Sequence, residues 1–400
     1  PAGKVTRLVD LAVPAAAEAV RPQPDVAAAS QGAVAFEAVE ELPDLTVQIV
    51  ADPIDPERRF HCLLETPHLD LSEEEASGRW TLRSTTSEIV TSYMTLFTAK
   101  GKSDAQRLAA LKGAGRQLFA SAPENFQAVY WRLVDEHGRP STLALVTEEP
   151  HYPWELMIPH RRTADGATES RDPLGVETAV GRFIHGLSLS GPRRLPLTDS
   201  YAVAPEYQGR RALPHAQEEA EMVTRLFSGE AIRPVTFERL DEALTAKAVS
   251  LVHFACHGKQ TSGVQQSIYL DDDAELSSVE VSGMDGFRAA FERGRPLVFL
   301  NACEVGRLEP ALAAVGGFAA TFIDLGARAV VAPLWSVKDT LAHEVATEFY
   351  RRLGEEPGVR LSEILRELRQ RSYEGDQAGE DTYAAYCFYG DPLATRAKQD

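Results

Sequence analysis

A chain of 400 residues is roughly two to three times the usual domain length, so two domains and a sizeable core are expected. Its 59 acidic side chains outnumber the 41 basic ones, and the formal charge of −18 excludes the broad positive face that nucleic acid or an anionic membrane requires. With 44% apolar and 25% charged residues the composition excludes wholesale disorder, and four cysteines without a CxxC pair exclude a disulfide scaffold. A reducing, cytoplasmic setting is expected.

Residues 1–40 are rich in Ala, Pro and Glu and poor in large apolar side chains, which predicts a linker or flexible arm. Lys4 and Arg7 precede an Ala-rich stretch, but Asp10 and Pro14 interrupt it, so it reads as part of a trimmed or internal fragment rather than a leader. Strand-like runs follow at Leu45 to Ala51, Phe60 to Glu65 and Trp80 to Arg83. Helical periods cover Thr86 to Thr98 and Asp104 to Ser121, where Leu108, Leu111, Ala114, Leu118 and Phe119 recur on one stripe. Alternation at Val129 to Val134 and Thr142 to Thr147 predicts two more strands. Residues 41–190 are therefore expected to form an N-terminal α/β subdomain.

From Leu195 onward strands alternate with amphipathic helices, the pattern of a mostly parallel sheet with helices on both faces. The predicted strands are Tyr201 to Ala204, Ser250 to Ala255, Leu297 to Leu300, Ala329 to Leu334 and Tyr383 to Tyr389. Helices are predicted over Pro214 to Phe227, Leu240 to Ala246, Gly283 to Phe291, Ala311 to Leu325 and Thr340 to Leu353, with Leu361 to Leu368 following. The most apolar window, Gly316 to Trp335, carries Asp324 and Arg328, so no membrane span is read.

Two segments place a reactive side chain directly after an apolar strand. One is Leu251-Val252-His253-Phe254-Ala255-Cys256-His257-Gly258, and the other runs from Leu297 through Asn301-Ala302-Cys303-Glu304 to Gly306. In a parallel sheet the carboxyl ends of neighbouring strands share one rim, where a crevice forms, so His257 and Cys303 are expected to face each other. An imidazole beside a thiol raises its thiolate fraction or takes its proton during attack. The backbone N–H groups of Gly258 and Cys303 are the candidate oxyanion donors, a role worth about 3–4 kcal/mol.

The HFACHG and NACEVG segments, the later AVVAPLWSVKD and the terminal YAAYCFYGDP resemble the CHAT family, caspase-like cysteine peptidases related to separases and caspases. The likeness covers residues 195–400 in motif order and extends to Tyr152-Pro153-Trp154-Glu155-Leu156-Met157 upstream. It implies a caspase-like α/β sandwich over residues 195–400, with the N-terminal subdomain as a degenerate copy of the same fold. It also implies a His257 base, a Cys303 nucleophile and endopeptidase activity in bacterial defence or cell death. The implied partners are a protein substrate and a regulatory or sensor partner; no metal or organic cofactor is implied.

Other readings stay beside this one. Cys256 is read as core packing, because consecutive strand residues point to opposite faces, and the same clash argues against a zinc site built from His253, Cys256, His257 and Cys303. His253 reads as a hydrogen-bonded core histidine. Where relatives that cut after basic residues carry an acid two positions before the cysteine, this chain has Asn301, a candidate for the substrate pocket. Trp335 is either a pocket wall or a core residue, and Asp339 either a pocket acid or a helix cap. An idle scaffold that binds a partner peptide in the same crevice is the alternative to an enzyme.

Overall fold

The computed structural model describes residues 41–98, 101–149, 151–184, 193–209, 212–260, 266–271, 273–302, 317–333, 337, 339–375 and 385–397. A single sheet of eleven strands runs through them. Its first five strands in chain order are β1 (Leu45–Ala51), β2 (Arg59–Glu65), β3 (Ser77–Thr81), β4 (Thr142–Thr147) and β5 (Ala179–Ile184). The next five are β6 (Ser200–Val203), β7 (Glu230–Ala231), β8 (Leu251–Cys256), β9 (Leu297–Ala302) and β10 (Ala329–Pro333), and β11 (Tyr386–Tyr389) completes it. Across the sheet the order is β7-β6-β8-β9-β10-β11-β5-β4-β1-β2-β3. Neighbours run parallel except at β10/β11, β1/β2 and β2/β3. The strand that comes last in this sheet, β11, thus lies between the strands of the two halves.

The principal helices are α1 (Thr86–Thr98), α2 (Asp104–Ala120), α3 (Glu124–His137), α4 (Ala216–Leu226), α5 (Phe237–Ala246), α6 (Asp285–Gly294), α7 (Phe318–Asp324), α8 (Asp339–Glu355) and α9 (Leu361–Glu374). Strands β8 and β9 are buried almost end to end, and that is why they read as continuous apolar runs rather than alternating ones. On one face Phe254 packs against Phe287 of α6 and Phe322 of α7. On the other, His253 and Phe299 meet Tyr350 of α8. Among the described residues no helix is long and apolar enough to cross a membrane.

Val129 to Val134 is helical, not a strand: it belongs to α3. Phe126, Val129, Tyr130 and Leu133 fall at i, i+3, i+4 and i+7 and are all buried, so the helical stripe emerges once the window starts three residues earlier. The predicted helix from Ala311 is described only as α7, and residues 311–316 lie outside the described residues. Strand β5 was not anticipated, because Arg182 interrupts its apolar run.

Arg182 is fully buried beside Glu155 of the Pro153-Trp154-Glu155-Leu156 segment, itself 2% exposed. Its Nε donates to Glu155 Oε1 at 2.9 Å, its second nitrogen donates to Oε2, and it also reaches the Tyr152 carbonyl at 3.1 Å. The Cys387 thiol of β11 donates to the same carboxylate at 3.3 Å. A Cβ at Gly175 would lie 2.6 Å from that of Glu155, so glycine is required for the close approach. Burial works to raise the Glu155 carboxyl, but the charge and hydrogen bonds of Arg182, with the charge of Arg369, outweigh it and hold the group well below its ordinary value.

A depressed carboxyl binds fewer protons folded than unfolded, so its contribution is complete above the ordinary value of 4.5 and is lost as pH falls toward about 2. Glu155→Gln is expected to flatten that part of the acid-unfolding curve. It also leaves Arg182 buried without its counter-ion, so thermal unfolding at neutral pH should show a loss of about 3–5 kcal/mol.

Candidate active site

Strands β8 and β9 pair in parallel over their whole length, from Leu251 opposite Leu297 to Ala255 opposite Asn301 and Cys256 opposite Ala302. His257 follows the last paired residue of β8. It is 4% exposed and held from several sides. Its backbone N–H donates to the Tyr207 hydroxyl at 3.2 Å, the two rings are 4.5 Å apart, and the Tyr207 O–H donates to the Tyr269 carbonyl at 2.6 Å. The Tyr269 N–H closes the loop by donating to the His257 carbonyl at 3.0 Å. Tyr207 carried no signal in the sequence, since it lies in an irregular segment after β6.

Gly258 opens a small antiparallel sheet of Gly258–Gln260, Gln266–Tyr269 and Glu275–Ser277. It is paired with Ile268. Because Tyr269 N–H bonds the His257 carbonyl, Gly258 and Ile268 form a non-hydrogen-bonded pair, so the Gly258 N–H points away from its partner strand. A Cβ at 258 would press on the Ala302 methyl at 3.3 Å. The position therefore combines close strand approach with an outward backbone donor.

Behind the rim lies a buried polar layer. Glu219, 2% exposed, takes its place in the buried stripe of α4 with Ala216, Ala220 and Val223. Its Oε2 is 2.9 Å from His253 Nε2 and accepts from Asn301 Nδ2 at 2.9 Å. His253 Nδ1 lies 3.1 Å from the Tyr350 hydroxyl. With Nε2–H donating to the carboxylate, Nδ1 is left to accept from the tyrosine. Asn301 also donates to the Ala342 carbonyl at 3.1 Å and accepts from the Tyr386 hydroxyl at 2.6 Å. Both of its amide atoms are thus engaged in the layer, and the residue is 3% exposed.

A family model described as CHAT domain matches residues 75–391. The chain belongs to the CHAT domain family. No curated protein matches its sequence. Among solved structures it is similar to the Arg-specific cysteine proteinase gingipain R of Porphyromonas gingivalis, with 14% identity, a TM-score of 0.44, and 77% of this chain and 75% of that one covered. It is also similar to Saccharomyces cerevisiae separase in its complex with securin, with 11% identity, a TM-score of 0.48, and coverage of 86% and 30%. For the Drosophila initiator caspase Dronc the values are 8%, 0.34, and 53% and 86%.

Among the described residues of this CHAT family chain three cysteines are buried: Cys62, Cys256 and Cys387. Burial pushes the Cys62 thiol up to about 12 and raises Cys256 and Cys387 further. Cys303 and Trp335 lie outside the described residues. Asp339 is the first residue of α8 and half-buried; its carboxyl is raised by burial, against the pull of His215 and His343 and a hydrogen bond from the His215 backbone. Asp271, between the two segments, accepts from the backbone N–H groups of Glu206 and Val235.

Tyr207→Phe keeps the ring but leaves a buried N–H and a carbonyl without their shared hydroxyl. The expected cost is about 1–3 kcal/mol in thermal unfolding. An unchanged melting temperature would show that the hydroxyl does not hold the His257 backbone.

Proposed function

We propose that this CHAT domain is a cysteine endopeptidase in which His257 is the general base and Cys303 the nucleophile. The observation that carries this reading is the register of β8 on β9. The paired rows end at Cys256 opposite Ala302, so the next residue of each strand segment is His257 on one side and Cys303 on the other. Adjacent strands are about 4.7–4.9 Å apart where they pair, so both segments run on from neighbouring positions of one rim. A second support is chemical: the other three cysteines are buried, with thiols held protonated, so none of them serves as an attacking thiolate.

In this mechanism the Cys303 sulfur attacks the scissile carbonyl carbon while His257 takes the thiol proton. The Gly258 and Cys303 N–H groups bind the resulting oxyanion. The C–N bond then breaks, His257 delivers its proton to the departing amine, and water, activated by the same imidazole, hydrolyses the thioester. Every proton is accounted for by these groups, so no metal or organic cofactor enters. The peptide lies across the carboxyl rim of the sheet and pairs its backbone with an edge there. We assign Asn301 a positioning role through Glu219 and Tyr386, and leave Trp335 and Asp339 as pocket candidates. By family resemblance the substrate is a protein in a bacterial defence or cell-death pathway, in the cytoplasm, under the control of a regulatory partner.

The test is covalent labelling with an acyloxymethyl ketone peptide, alongside mass-spectrometric profiling of a peptide library. Wild type and Cys256→Ser should be labelled and active. Cys303→Ala should be neither, and His257→Ala should lose at least about a hundredfold in rate. Cleavage that survives Cys303→Ala would overturn the assignment, and peptide binding without labelling would make the crevice a docking site.

A further inference from the structure

Beside the carboxyl rim of the sheet, two imidazoles and a carboxylate converge where the start of α4 meets α8. His215, the residue before α4, stacks on His343 of α8 with ring centroids 4.7 Å apart and planes 25° from parallel. Glu218, in the first turn of α4, brings its Oε2 to 3.3 Å from His215 Nδ1 and 3.9 Å from His343 Nε2. One ligand atom from each of the three lies within 4.8 Å of the others.

The surroundings of His343 are those of a metal-ligating histidine. Its second ring nitrogen, Nδ1, is buried and makes no hydrogen bond among the described residues, yet it faces Glu219 Oε1 at 3.5 Å. A ligating imidazole characteristically aims its other N–H at a carboxylate, which fixes the ring and raises its basicity. Glu219 is itself fixed, because its Oε2 bonds His253 and Asn301. Asp339 stands one turn before His343 on α8 and holds the His215 backbone N–H.

We propose that His215, Glu218 and His343 form a binding site for a divalent cation of the zinc class, with Glu219 as the outer-shell acceptor of the His343 Nδ1–H. Two imidazoles and one carboxylate are the donor set of zinc and neighbouring transition metals, whereas calcium and magnesium take oxygen ligands. A tetrahedral ion with bonds of about 2.0–2.1 Å spaces its donors about 3.4 Å apart. The 3.3 Å contact already meets that spacing. The 3.9 Å distance to His343 Nε2 closes by rotation of Glu218, whose side chain is 66% exposed, and the two imidazoles, both partly exposed, close theirs by turning about their own side-chain bonds. A bound ion would clamp the start of α4 onto α8 and, through Glu219, bear on both β8 and β9.

The site is tested in the full chain carrying Cys303→Ala, so that no catalytic thiolate competes for metal and the result is independent of peptidase activity. The protein is stripped with a chelator, then titrated with Zn²⁺ against a chromophoric chelator and with Co²⁺ by visible absorption. One ion per chain is expected. His215→Ala and His343→Ala should each weaken binding at least about tenfold, and Glu219→Gln by about tenfold or more. Added Zn²⁺ should raise the melting temperature of the parent and not of His343→Ala. Should a histidine variant fail to fold, the exposed Glu218→Gln decides by the same tenfold criterion. No ion bound by the parent, or unchanged affinity in Glu218→Gln, would overturn the proposal.

Discussion

The oxygen Glu219 Oε2 meets His253 of β8 and Asn301 of β9, each at 2.9 Å, in a layer closed to water. His253 precedes His257 by four residues, and Asn301 precedes Cys303 by two. A charge-assisted hydrogen bond in a low-dielectric layer tolerates little displacement, because separation strands a carboxylate and its donors out of reach of solvent. The carboxylate therefore fixes the relative height of the two strands in a way that apolar packing, with its weak directionality, does not. Tyr350, Tyr386 and the Ala342 carbonyl extend the same constraint to α8 and β11.

A second buried charge acts where the halves of the sheet meet. Glu155 and Arg182 are both out of water, and the carboxylate also accepts the Cys387 thiol. Such a pair contributes little net stability compared with well-packed apolar residues, but each partner alone would be strongly destabilising. Its effect is selective: beside the backbone bond from Gly390 N–H to the Arg182 carbonyl, it ties β11 and β5 to the Pro153–Leu156 turn that delivers Glu155. The upstream segment is thereby tied to the strand that borders β10, and the two halves share one continuous sheet.

The parallel arrangement around β8 and β9 could be read from the residues because helices cover both faces and the apolar runs are unbroken. His257 and Gly258 were visible for the same reason, each standing at the point where such a run ends. What escaped was polar and buried. Arg182 hid β5, since a lone arginine in a six-residue strand reads as a solvent-facing break until its counter-ion, 27 residues earlier, is known. Glu219 looks like one of two acids in the first turn of α4, where carboxylates favour the helix dipole. Only the helical phase, shared with Ala216, Ala220 and Val223, marks it as inward. Val129 to Val134 misled in the opposite sense, because a six-residue apolar window samples too few turns to separate the two periods.

The contrast between Cys256 and His257 shows how the fold sorts reactive groups. They are adjacent in sequence, yet Cys256 is the last paired residue of β8, fully buried, with its thiol pushed up by loss of solvent. One residue on, the chain leaves the ladder, and the backbone N–H of His257 is taken by Tyr207 instead of a strand. The hairpin that follows then engages the His257 carbonyl, and this alternation turns the Gly258 N–H away from the partner strand. A strand that continued further would spend that donor on a neighbour, and one that ended earlier would leave the imidazole without the Tyr207 anchor. The point at which β8 stops is thus itself a determinant of the site, set by the glycine at 258 and by the tyrosine that captures the residue before it.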